Sequence, residues 1–193
     1  MAYRLGDPTA RNLGRLTLNP LKHLDPIGTL CMIFFHFGWA RPVPINPRYF
    51  KHNRRDTALT ALAGPLSNLI MAFFGMLIYK IICTIFWYTP LSGQFSFYIA
   101  SAVMSFADLF VFYNVSLAVF NLIPVPPLDG SRIFLVFLPA KYYFGVMKYE
   151  RYIKLGLPFL LCAVLFLSSI LGTVTSAIIT GMDFFWGLIP FLL

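Results

Sequence analysis

Charge is what this sequence has least of. Only 11% of its 193 residues are Asp, Glu, Lys or Arg, too few to cover a soluble domain of this size. Cysteine is scarce too. Cys31, Cys83 and Cys162 sit far apart in apolar runs with no CxxC spacing, which excludes a disulfide framework or a cysteine zinc module. No fixed-period repeat and no low-complexity tract is visible, so a solenoid or a disordered chain is excluded. The polar opening "MAYRLGDPTARNLGRL" is unlike a cleavable signal peptide.

What is there instead is apolar. Hydrophobic residues make up 59% of the chain and mean hydropathy is +0.75, which predicts an integral membrane protein. The expected fold is an all-α polytopic helical bundle with one Pro-interrupted helix and a short re-entrant or partly inserted segment. Residues 1–193 read as one membrane domain. Net charge is +8, with nine of fifteen Lys and Arg before Asp56 and five more between Arg132 and Lys154. The loop "TPLSGQFS" carries none. That asymmetry is positive-inside patterning, and it places both basic regions and Asp129 on the cytoplasmic side of the cell membrane. The partner it predicts is the lipid bilayer, not nucleic acid.

Along the chain, residues 1–56 form a cytoplasmic-side loop, with short extended pieces such as "GRLTLNP". Within it, 27–40 is apolar but shorter than the roughly 20 residues a crossing needs. Asp56 or Thr57 is expected to open a helix that contains Pro65. Spans are expected at about 57–88, 97–123 and 155–171. Residues 177–193 are a last span or an interfacial segment, giving a central count of four. Lys80 and Asp108 lie inside spans. By helical rise both reach the outer interface, where snorkelling, as an ion pair or singly, is the expected state.

The informative stretch is "NLIPVPPLDG", Asn121–Gly130. Pro124, Pro126 and Pro127 donate no backbone hydrogen bonds, so the helix must unwind there. Irregular backbone at membrane depth needs a protein or water cavity over it. Asp129 follows at once, and Gly130 permits a tight path. Residues alone leave two readings: a wet cavity holding a carboxylate, or a solvated turn at the interface.

The spacing Asn121-x-x-Pro124-x-x-x-x-Asp129-Gly130 resembles that of the site-2 protease family of intramembrane zinc metalloproteases. "RLGDPTARNLGRLTLNPLKHLDPIGTL", "GWARPVPINP" and "AGPLSN" resemble a bacterial-type branch of it. The resemblance implies that Asp129 is the third protein ligand of a catalytic zinc. It implies that Asn121 faces the same cavity, holding substrate or steadying an oxyanion. It implies that the substrate is a transmembrane protein. Val43 and Ile45 of "RPVPINP" are candidates for pairing with unwound substrate as an edge strand; a plain surface loop is the other reading.

The family takes its other two ligands and its general base from HExxH. This sequence has none: Glu150 is its one glutamate, and His23, His36 and His52 lack helical metal spacing. The resemblance places HExxH on the helix running into "RLGDPTA". Met1 is therefore expected to fall just after it, and the chain alone is expected to be inactive. Two other functions compete. A non-catalytic relative would bind transmembrane helices. A transporter would use the broken helix and Asp129 as an ion site, but no second interrupted segment mirrors the first.

Overall fold

The computed structural model describes residues 1–35, 38, 40–89, 94–125, 128–137, 139 and 157–189, with side chains of the last helix from Ser168 onward. Its elements are α1 (Thr9–Asn12), α2 (Pro26–Phe35), α3 (Asn53–Tyr88), α4 (Gln94–Asn121), α5 (Asp129–Phe134) and α6 (Leu157–Gly187). Among the described residues there is no strand, only the isolated antiparallel bridge Leu24–Ala40. The all-α expectation holds, and "GRLTLNP" forms bends and a turn instead of an extended ladder. Among the described residues, three helices are long and apolar enough to cross a membrane: α3, α4 and Ser168–Gly187 of α6.

The chain divides into two compact units, Met1–Thr60 and Ala61–Leu193. In the first, Asp7 is the organising group. Its side chain is 1% exposed. One carboxylate oxygen accepts from the Thr9 amide and hydroxyl, the other from the Asn46 amide at 2.8 Å. Burial alone would raise the carboxyl pKa. The Thr9 hydroxyl and the Asn46 and Thr9 amides outweigh it and hold the pKa below the ordinary value. A depressed carboxylate pKa stabilises the fold above the unfolded-chain value of about 3.9, and that contribution is lost as pH falls through the folded value. Asp7→Ala should therefore cost about 3 kcal/mol at neutral pH, by stranding buried donors, and much less in acid. Urea titrations of the purified protein in micelles at two pH values check this.

Arg15 ties the same unit together. Its guanidinium donates to the carbonyls of Lys22, Arg41 and Pro42. Asp25 caps α2, accepting from the Ile27 and Gly28 amides. The helix, Pro26–Phe35, starts one residue before the apolar 27–40 segment and takes up its first part; His36 lies outside the described residues. The helix expected to open at Asp56 or Thr57 starts earlier, at Asn53. Asp56 acts from inside the first turns, accepting from the His52 amide at 3.0 Å.

In the second unit, α3, α4 and α6 share a core of Ala72, Met76, Val111 and Val115, with Ile178, Ile179, Met182 and Trp186 packed on it. Small residues let the helices close. A Cβ on Gly75 would come within 2.9 Å of the Phe110 ring. Pro65 is buried inside α3 without ending it; a membrane-type helix tolerates such a residue when neighbours cover the freed carbonyl. The two C-terminal segments expected at 155–171 and 177–193 are instead one helix, Leu157–Gly187. Gly172 lies within it, and the Thr173 hydroxyl returns to the Ser169 carbonyl one turn earlier. Lys80, 8% exposed, pairs with Asp183 on α6 at 2.9 Å. Asp108 lines a cleft of about 410 Å³ with Tyr79, Ser101 and Ser105. Of the two states the sequence allowed for Lys80, paired or single, it is paired, and an acid of the last helix takes part.

Candidate functional site

The chain breaks where the prolines predict. α4 ends at Asn121 and α5 begins at Asp129. At the break the helical hydrogen bonds tighten: the Leu122 amide is shared between the Ala118 and Val119 carbonyls, and Ile123 donates to Phe120. Then the backbone turns. Val125 donates to the Ile123 carbonyl at 2.8 Å and Leu128 to the Val125 carbonyl at 2.9 Å. Pro126 and Pro127 lie outside the described residues.

The return path is unusually close. A Cβ on Gly130 would fall 2.3 Å from the Leu122 carbonyl oxygen and 2.4 Å from that of Ile123. Only glycine fits. The contact lays Asp129–Gly130 directly against the residues that follow Asn121. Ser131, buried, locks the new helix by donating its hydroxyl to the Leu128 carbonyl at 2.7 Å.

Asp129 is half-buried and outside the three long apolar helices. Its Oδ2 lies 3.4 Å from where a Gly64 Cβ would stand. The wall opposite the carboxylate is therefore bare α3 backbone. Gly64 belongs to "AGPLSN", a stretch whose small residues suggested helix packing. Its link to Asp129 was not legible, because nothing local says which side chain will occupy the gap a glycine leaves. Burial pushes the Asp129 carboxyl above its ordinary pKa, and Arg132, one turn on, pulls the other way without cancelling it.

That shift has a stability sign opposite to that of Asp7. Between about 3.9 and the raised value, the folded state keeps a proton the unfolded chain has lost. Stability falls as pH rises through that window, and at neutral pH ionised Asp129 works against folding. Asp129→Asn should raise Tm at neutral pH and leave it unchanged well below pH 3.9. A melting series across that range checks it; a lower Tm at pH 7 would contradict the sign.

Asn121 is half-buried at the last turn of α4. Val43 and Ile45 lie in the first unit, in a stretch without helix or ladder, and Val43 is exposed. His23 is occupied structurally, its Nε2 lying 2.9 Å from the Thr17 carbonyl. Among the described residues no group of three His, Cys, Asp or Glu could hold a metal ion. Asp129 is a single anionic oxygen donor, so these residues do not make a zinc site by themselves.

Residues 44–167 match the family model described as Peptidase family M50. The chain is 44% identical over 133 residues to "Putative zinc metalloprotease YwhC" of Bacillus subtilis (strain 168), covering 69% of this chain and 58% of that protein. It is 32% identical over 136 residues to "Putative zinc metalloprotease Rip2" of Mycolicibacterium smegmatis, covering 67% of this chain and 46% of that one. The chain thus spans about half the length of these relatives. No solved structure matches it. The match runs through Gly64, Asn121 and Asp129, across the helix break that sets the carboxylate against bare backbone, and on that ground the chain belongs to peptidase family M50, the site-2 protease family.

Proposed function

We propose that this chain is the aspartate-bearing part of an intramembrane zinc metalloprotease, with Asp129 as one protein ligand of the metal. The observation that carries the reading is the placement of Asp129. It is a half-buried carboxylate at a proline-made break between two helices, facing a glycine gap in a third element. A solvated turn needs neither the gap nor the close return at Gly130.

The remaining roles follow from that assignment. Asn121, at the same break, holds the substrate backbone or steadies developing charge on its carbonyl. The substrate is a transmembrane protein whose helix unwinds locally. Val43 and Ile45 pair with it along one edge. Support comes from the prolines on either side: Pro42 and Pro44 remove donors at alternate positions, leaving the Val43 and Ile45 amides. Asp129 and the basic loops face the cytoplasm, by the charge asymmetry.

A catalytic zinc needs three protein ligands and an open position. The 193 residues contain no HExxH, so this polypeptide by itself is inactive. Zinc analysis of the purified protein and an assay against a transmembrane substrate test this. Metal well below one equivalent and no chelator-sensitive cleavage are expected. Fusing the chain behind a helix that carries HExxH should restore both, in a manner that depends on Asp129. A stoichiometric zinc in the 193-residue chain, or a fusion indifferent to Asp129→Ala, would overturn the proposal.

A further inference from the structure

The first unit shows a surface that the protease reading does not use. Between Gly14 and Asp25 the chain makes a bent loop braced by polar contacts, with leucines exposed along it. It is pinned at several points. Arg15 reaches three carbonyls, His23 meets the Thr17 carbonyl, and Asn19 caps the short turn that follows it, accepting from Leu21 at 3.0 Å. Such a loop holds one shape. The side chains it turns outward are leucines. Leu16 and Leu21 are mostly exposed, and Leu18 is 101% exposed. Leu13 precedes them, and Ile27 and Leu30 of α2 follow, all exposed. Scattered exposed leucines are ordinary. A fixed loop that presents leucines at nearly every third position is not, because each exposed side chain forgoes the gain of leaving water.

The charge around the loop identifies what covers it. Residues 1–60 carry nine Lys and Arg against three Asp, a net of +6. Each of the three acids is engaged by backbone amides. Asp7 is sealed by Thr9 and Asn46, Asp25 caps α2, and Asp56 holds the His52 amide. Lys22 stands beside Leu21 in the loop itself, its Nζ 3.7 Å from the Cβ position of Gly14. Arg11 and Arg41 are exposed as well. An exposed apolar loop in a unit of net positive charge is complementary to one kind of surface, a lipid leaflet with anionic headgroups. Leucines enter the acyl boundary and the cations stay at headgroup level.

We infer that the Leu13–Leu30 loop and α2 form an interfacial anchor that docks onto an anionic lipid surface. The anchor fixes the first unit at one depth, independently of the long apolar helices. It needs no zinc and no substrate.

The test uses the full 193-residue protein reconstituted into vesicles of phosphatidylcholine, alone or mixed with phosphatidylglycerol. Leu18→Cys, in a background with Cys31, Cys83 and Cys162 changed to Ser, carries an environment-sensitive fluorophore. Circular dichroism confirms that each variant keeps its helices. The expected result is quenching by lipids brominated high on the acyl chain, protection from aqueous iodide, and a blue shift that grows with phosphatidylglycerol. Lys22→Gln should cut the phosphatidylglycerol-dependent part of the shift about fivefold. Inorganic phosphate in place of the charged lipid should have no effect. Free iodide access in every vesicle would overturn the inference. So would protection from both quenchers, which marks burial against protein, or a response unchanged by charged lipid.

Discussion

Replacing Gly130 with alanine is expected to lower Tm by about 10 °C and to dismantle the turn that presents Asp129. The added methyl would lie 2.3–2.4 Å from the carbonyl oxygens of Leu122 and Ile123 and from the Leu122 carbonyl carbon. Real side chains do not tolerate such approaches. Overpacking against side chains costs about 1–3 kcal/mol because rotamers yield. Here the obstructing atoms are backbone, fixed by the Leu122 and Ile123 hydrogen bonds to α4. The cost belongs at the upper end, about 3 kcal/mol, which for a chain of this length is about 10 °C. The alternative to paying it is a widened turn, with Asp129 carried away from α3. Thermal melts in micelles measure the first outcome. An unchanged Tm would show that the close return is not a constraint.

Gly64→Leu should act on the carboxylate itself. The Gly64 Cβ position is 3.4 Å from Asp129 Oδ2, so a single methyl fits in ordinary contact. Gly64→Ala should therefore fold normally, gaining about 0.5–1 kcal/mol in the helix interior and pushing the Asp129 pKa further up by excluding water. A leucine has no room unless Asp129 moves. Displacing a reacting group by about 1 Å costs roughly a hundredfold in rate. In the fusion that carries HExxH, Gly64→Leu should lose cleavage on that scale while Gly64→Ala loses little. Equal activities would mean the carboxylate is not held where α3 leaves it room.

Much of this arrangement was legible beforehand, and the reasons differ by residue. The break at Asn121–Asp129 follows from local chemistry, since prolines without donors cannot continue a helix. α3 and α4 follow from long apolar runs of the right length. The last helix was harder. Asp183 and Gly187 made its C-terminal part ambiguous in the sequence, yet the helix runs through Asp183 to Gly187, since lipid offers no other backbone partner. Lys80 was legible as a charge needing help, but its partner was not. Asp108 and Asp183 are both acids on apolar helices, and only the packing of α6 against α3 brings Asp183 to Lys80 at 2.9 Å.

By itself, the sequence determined the class of this protein. Scarce charge, apolar length and the Asn-Pro-Asp-Gly spacing are properties of the chain read in order, and each acts through local physics. The tertiary structure decided the pairings: Asp7 with Asn46 across 39 positions, Lys80 with Asp183, Gly64 opposite Asp129. Side-chain type states only what a group requires. Which distant group meets the requirement depends on how close two backbones can come, and that is set by packing small residues and glycines in three dimensions.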